Sequence, residues 1–332
     1  MDLGYLKPTK LFYHPERISQ LIKNEVVEPI TVKLYLTEKC NLNCKYCVYK
    51  KRLSSKVMTE SNADRILEKL KFFGVKGIVL TGGEPTMHPK FESIVTLASN
   101  VYGFDIGLIT NGIIQRSIRH LTWARYSIDT VNQETYSRMK GMPDLNTVLD
   151  NIAAAIKEKR TERLKTTIGV QMVVTEDNYQ EIYEFVNYFA NTNVNYCQIR
   201  PVENTRYTPE QLEKIKEQLD LIDKKEYKMP IMTTRYKWDE IENNYKKSYE
   251  GCPGAKLIGA IGTEGDYYIC CTWMKEPTAK YGNILNDGRR VLDKRDDILA
   301  KFNYSKCPVG CQGSLVNKAL INFQKVEHRN FI

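Results

Sequence analysis

Cys40, Cys44 and Cys47 fall within one short stretch, "CNLNCKYC", spaced C-x3-C-x2-C. Thiolates are soft ligands, and cysteines gathered this closely bind zinc, copper(I) or iron–sulfur clusters. A structural zinc site closes its tetrahedron with four protein ligands. Three thiolates point instead to a metal centre with one position left for something else, or to a zinc site that a distant residue completes. A second group follows near the end of the chain: Cys252, then Cys270 with Cys271 beside it, then Cys307 and Cys311.

The chain has 332 residues, nine of them cysteine, and no apolar run near the ~18–20 residues that a membrane span needs. Its first residues, "MDLGYLKPTKLFYHPERIS", lack the apolar core and cleavage site of a signal peptide. A reducing, cytoplasmic setting without membrane contact is therefore expected, where clustered cysteines mean metal or catalysis rather than disulfides. The formal net charge of +9 is spread along the chain, as in "IKEKRTERLK". Such scatter suits a solvated lysine-rich face, and only weakly a phosphate-bearing partner.

The elements that must position these residues alternate along the chain. Strand-like runs at 31–36, 77–80, 105–110, 124–128, 168–174 and 196–200 are separated by segments of helical spacing. Ala63, Ile66, Leu67, Leu70 and Phe73 mark one such helix, which Gly74 is placed to end. Repeated strand–helix units predict an α/β fold, a partial (β/α)6 barrel of parallel strands. Active sites of such folds lie in the loops after the strands' carboxyl ends. Cys40, "TGGEP", "TNG" and Asp129 each follow one of the first four strands.

With that placement the resemblance is plain. C-x3-C-x2-C with Tyr46 before the last cysteine, then Gly82-Gly83-Glu84-Pro85, then Ser127 and Asp129, resembles the radical S-adenosylmethionine (SAM) superfamily over roughly residues 31–204. The resemblance implies a [4Fe–4S] cluster held at three irons by Cys40, Cys44 and Cys47, with SAM on the fourth. It implies reductive cleavage of SAM to a 5′-deoxyadenosyl radical that abstracts hydrogen from substrate. Gly82, Gly83 and Glu84 would receive the methionyl ammonium, with Pro85 closing the motif. Ser127 and Asp129 would hold the ribose, with Thr110 and Asn111 on the same rim. The Tyr46 backbone would meet the adenine, and Arg200 would pair with the carboxylate. An external electron donor of flavodoxin or ferredoxin type is implied as partner.

Cys252-x12-Gly265-x4-Cys270, followed by Cys307-x3-Cys311, looks like the auxiliary-cluster region of the SPASM/twitch subgroup. Cys252, Cys270, Cys307 and Cys311 would then ligate a second [4Fe–4S] cluster for electron transfer or substrate binding, or a structural staple. Cysteines for a further auxiliary cluster are lacking, so the shorter twitch form fits better, and Cys271 competes with Cys270 as ligand. The expected organisation is an N-terminal extension (1–30), the partial barrel (31–205), a helical bridge (206–250) and a small C-terminal cysteine-rich iron–sulfur domain (251–332). Cys197 and the four histidines, His14, His88, His120 and His328, read as structural.

The function expected is hydrogen abstraction from a small molecule: a sugar, an aminocyclitol or a nucleotide derivative. Peptide maturation and a nucleic-acid-linked substrate are the alternatives within the superfamily. Peptide-modifying members often carry a leader-binding domain that the ~30 residues before Thr31 are too few to form. A non-catalytic iron–sulfur or zinc protein is the alternative of another class, and it explains neither the trio nor "GGEP".

Overall fold

The computed structural model describes residues 8–141, 144–202, 205–243 and 251–324, so His328 and part of the bridge lie outside the described residues. Period-two alternation shapes the barrel. In β1 (Thr31–Thr37), Val32, Leu34 and Leu36 are fully buried, while the alternate Thr31 and Lys33 are half-buried. The buried set packs on α1 (Glu60–Phe72) through Ala63, Ile66, Leu67 and Leu70. Thr59 caps that helix by accepting a hydrogen bond from the Asn62 N–H at 3.1 Å, and Gly74 follows it at φ 71°.

The next strands are β2 (Gly77–Gly82), β3 (Asp105–Thr110), β4 (Trp123–Ser127), β5 (Thr167–Val174) and β6 (Tyr196–Pro201). Each pairs in parallel with its predecessor. All six lie within a residue or two of the sequence expectation. Helices α2 (Gln133–Lys140), α3 (Leu145–Thr161) and α4 (Ile182–Ala190) fill the crossovers from β4 to β6.

The sheet runs further than six strands. The bridge holds α5 (Pro209–Asp223), entered through a capping box of Thr208 and Gln211, then β7 (Ile231–Met232), which adds in parallel to β6, then α6 (Arg235–Glu242). At the other edge β8 (Ile258–Ile261) pairs in parallel with β1, and β9 (Asp266–Tyr268) and β10 (Lys280–Asn283) extend it antiparallel. The order is β10-β9-β8-β1-β2-β3-β4-β5-β6-β7. The cysteine-rich region is thus a continuation of the barrel sheet rather than a separate appendage. "IGAI" is short and apolar enough to be buried against β1.

The N-terminal residues tie this continuation down. Glu28 accepts from Arg17 at 2.6 Å and from Arg289 at 2.5 Å, and Arg295 donates to the Val27 carbonyl at 2.6 Å. Leu21 and Val27 pack with Leu257, Val316 and Leu320. Among the described residues no helix is long and apolar enough to cross a membrane.

Candidate functional site

The loop after β1 carries Cys40, Cys44 and Cys47, all half-buried, into a cavity of about 230 Å³ at the carboxyl ends of the strands. Its backbone is fixed by the end of α2. The Asn43 and Lys45 N–H groups donate to the Lys140 and Met139 carbonyls at 3.2 and 3.1 Å. These are carbonyls that a helix C-terminus leaves without intrahelical donors. Tyr46 reaches inward and donates its hydroxyl to Asp129 Oδ2.

Asp129 is fully buried at φ 70°, an uncommon conformation for a non-glycine residue. Its Oδ1 accepts from the Val173 N–H at 2.6 Å, and its Oδ2 accepts from both Tyr46 and the Lys140 ammonium. Lys140, itself almost wholly buried, also donates to the Tyr46 hydroxyl at 2.6 Å and the Ser127 carbonyl at 3.0 Å. Burial alone would lower the Lys140 pKa. The Asp129 carboxylate beside it outweighs burial and raises it, so the lysine stays charged. Asp129 lines the cavity, and its oxygens join β5 and the end of α2 to the cysteine loop. Nothing in the sequence singles out Lys140 as a member of this group.

The "GGEP" turn is joined to the same loop. Gly83 and Glu84 donate their N–H groups to the Thr37 and Lys39 carbonyls at 2.9 and 2.7 Å. A Cβ at Gly83 would lie 2.1 Å from the Lys39 carbonyl oxygen, and one at Gly82, at φ 140°, would lie 2.2 Å from the Thr37 carbonyl oxygen. The close approach that these glycines permit is to the chain itself. Glu84 is buried, which raises its pKa, while hydrogen bonds from Thr86, Asn111 and Thr110 pull against that rise. Thr110 Oγ1 donates to it at 2.8 Å and the Asn111 N–H at 2.7 Å. Asn111 Nδ2 donates onward to Asn41 Oδ1 in the cysteine loop at 2.7 Å. Thr110 and Asn111 are thus first of all partners of Glu84. Pro85, also buried, opens the short 3-10 turn Pro85–Met87 behind the cavity wall.

Tyr46, Gly82, Gly83, Glu84, Ser127 and Arg200 line the cavity beside the three cysteines. The donor set suits an iron–sulfur cluster, since three thiols share one wall. In the bare chain burial pushes Cys40 up to about 11, so the thiolate a cluster takes forms as iron binds. Among the described residues no three Cys, His, Asp or Glu side chains meet closely enough to hold a single ion.

The second cysteine group comes together from three segments. Burial raises the Cys270 thiol, and the proximity of Cys271, Cys311 and Cys252 adds to that. Trp273 Nε1 donates to Cys307 Sγ at 3.4 Å, and Asn317 Nδ2 to Cys252 Sγ at 3.2 Å. Cys270 is extended (φ −163°, ψ 175°), so the next side chain turns to the opposite side. Cys271 accordingly accepts from Lys33 Nζ at 3.0 Å and Gln312 Nε2 at 2.9 Å. Cys197 is a buried thiol in the core, as expected. His88 is held between the Met58 carbonyl and the Lys90 N–H.

Comparison with known proteins adds to this geometry. The model of the radical SAM superfamily matches residues 34–189. A GTP 3′,8-cyclase of a Synechocystis species is 30% identical over 168 residues, 47% of this chain and 49% of that protein. The GTP 3′,8-cyclase of Limosilactobacillus fermentum is 27% identical over 187 residues, 52% of this chain and 55% of that protein. The chain spans about half the length of the curated relatives it matches. In fold it is similar to Streptococcus suis SuiB bound to S-adenosylmethionine (TM-score 0.68, 16% identity, 88% of this chain and 72% of that one). It is also similar to anSMEcpe with bound AdoMet (TM-score 0.63, 15% identity, 89% and 99%). Six parallel strands, a cysteine trio after the first and a glycine–glutamate turn after the second thus meet a matching family model, and the chain carries a domain of the radical SAM superfamily, whose members bind SAM and a [4Fe–4S] cluster.

Proposed function

We propose that this protein is a radical SAM enzyme that abstracts hydrogen from a small-molecule substrate, with a nucleotide derivative as the leading class. The observation that carries this reading is that the cysteine trio, the Gly82–Glu84 turn and Ser127 share one cavity wall at the strands' carboxyl ends. Cys40, Cys44 and Cys47 would hold three irons of the cluster, and Gly82, Gly83 and Glu84 would take the methionyl ammonium. Ser127 is available to the ribose and Arg200 to the carboxylate. When bound and reduced by one electron, the cluster and SAM together supply a 5′-deoxyadenosyl radical.

This chain's own residues do the positioning. The Asp129–Lys140–Tyr46 group keeps the cysteine loop against α2 and β5, and Thr110 and Asn111 hold Glu84 in the orientation a cation needs. Burial of both groups keeps water from competing for these contacts. The nucleotide class is supported by the curated relatives, which are named GTP 3′,8-cyclases. Cys252, Cys270, Cys307 and Cys311 would hold the auxiliary cluster, Cys270 being preferred because it faces Cys252 and Cys311 while Cys271 is directed to Lys33.

The test is anaerobic reconstitution followed by dithionite and SAM. Two cubes predict about eight irons per chain and release of 5′-deoxyadenosine, which Cys40→Ala abolishes. Cys270→Ser is expected to leave about four irons, and Cys271→Ser the full complement. Wild-type protein that releases no deoxyadenosine, or no more than Cys40→Ala, refutes the reading.

A further inference from the structure

The inner wall of the barrel carries charge where a packed core would carry aliphatic side chains. Alternate residues of a strand share a face, so Lys33 on β1, Arg125 on β4, and Gln198 and Arg200 on β6 occupy the positions that alternate with fully buried Leu34, Ala124 and Ile199. These side chains line a chamber of about 460 Å³, a volume ordinary for a small-molecule site. α6 closes one side with Lys237 and with Arg235, whose guanidinium is shared with Asp220 and Asp223. No described residue lining the chamber carries a carboxylate.

The chamber adjoins the cavity of the cysteine trio, since Lys33, Ile109, Arg125 and Arg200 line both. Lys33 is further held beside Gln312, at 3.0 Å, and Cys271, next in sequence to the second cysteine group. Arg125 donates to Gln198 Oε1 at 2.9 Å, which aims it along this wall, and an anion bound in the chamber is attracted by each of its cations. Guanidinium pairs with the planar, multidentate oxygens of phosphate, and an ammonium adds a point charge.

Resting on the radical SAM reading, we propose that the substrate carries a phosphoryl group which binds in this chamber against Lys33, Arg125 and Arg200. The remainder of the molecule then extends toward the cavity of Cys40, Cys44 and Cys47, where hydrogen is abstracted. In this arrangement the cations select the substrate by its charge and set which carbon reaches the cofactor.

Inorganic tripolyphosphate tests the site directly, by calorimetric titration of the reconstituted holoprotein. Saturable binding that weakens with added salt is expected. Lys33→Gln and Arg125→Gln should each weaken it about tenfold or more, the scale of one lost charge-assisted hydrogen bond. Lys33→Arg should retain it, and Lys56→Gln, which removes a cation from an exposed pair with Glu264, should leave it unchanged. No saturable binding to wild-type protein overturns the proposal, whatever the variants do. So does equal affinity in wild type and in variants that keep the wild-type iron content. Release of 5′-deoxyadenosine from SAM without added substrate is measured on the same preparations. Its persistence alongside absent binding separates a failed phosphoryl site from a failed radical SAM assignment.

Discussion

The two cysteine groups are assembled in opposite ways. Cys40, Cys44 and Cys47 come from a single loop, whose shape is imposed from outside by the end of α2, the Gly82–Glu84 turn and a buried ion pair. Cys252, Cys270, Cys307 and Cys311 come from three separate segments, held by the β8–β9 hairpin, the Trp273 ring and the helix Ser314–Gln324 that carries Asn317. The first group is local in sequence but depends on distant elements for its conformation. The second is distant in sequence, and its cysteines meet only when the whole region has folded. Arg52 links the two, donating to the Thr272 and Cys271 carbonyls at 2.7 and 3.3 Å. Damage confined to one group should therefore spare the metal of the other.

Lys140→Met is the most severe way to break that asymmetry. It leaves the Asp129 carboxylate buried without its cation and takes one donor from the Tyr46 hydroxyl. Removing one partner of a buried pair costs about 3–5 kcal/mol. Urea unfolding of the bare chain should show a loss of that order, and reconstitution should fill the second group while emptying the first. Asp129→Asn combined with Lys140→Met should recover part of the loss, because no uncompensated charge remains. A single variant with wild-type stability and full iron would show that the ion pair does not set the loop.

Asn317→Ala is the matching, smaller test of the second group. Asn317 is buried, accepts from the Gly254 N–H at 2.8 Å and donates to Cys252. Leaving that buried donor unsatisfied costs about 1–3 kcal/mol. Iron should fall at the second group alone, with 5′-deoxyadenosine release from the first retained. Loss of iron from both groups would mean that they fold as one unit.

How much of this was legible beforehand follows from what burial does to each element. β1 to β6 are read from sequence because strands covered on one face by helices must be apolar at alternate or successive positions. β7, two residues long, and β8, four residues long, are too short for such a pattern to mark them, and they are strands because β6 and β1 offer them open edges. The cysteine trio is legible because its spacing has a chemical reason, and Glu84 and Ser127 are legible through the family resemblance that the trio opens. Lys140 is not: a lysine in the last turn before Gly141 is ordinary for a helix end, and only the fold puts Asp129 against it. Lys33, Arg125 and Arg200 did carry a signal, since cations at interior positions of otherwise apolar strands contradict a packed barrel. Their shared destination, one chamber, is visible only once the strands are in register.

The gentlest contrast between the two regions is in pH. All four histidines of the chain lie outside 251–324, and His88 supports the turn behind the first group. Its ring is buried, Nε2–H donates to the Met58 carbonyl at 2.7 Å, and Nδ1 accepts from the Lys90 N–H at 3.0 Å, which is the pattern of a neutral imidazole. Burial lowers its pKa below the ordinary 6.5, and the Met58 contact only partly opposes this. A histidine depressed in the folded state contributes stability that is complete above pH 6.5 and lost as pH falls below that value. Hydrogen exchange of the bare chain should therefore quicken with acid around residues 84–90 while 258–283 keeps its protection. In His88→Gln that difference should vanish, because no proton then drives the ring out. Equal acid response of both regions in wild-type protein would place the sensitivity in groups common to the fold, and would remove His88 as the reason that the first loop loosens before the second.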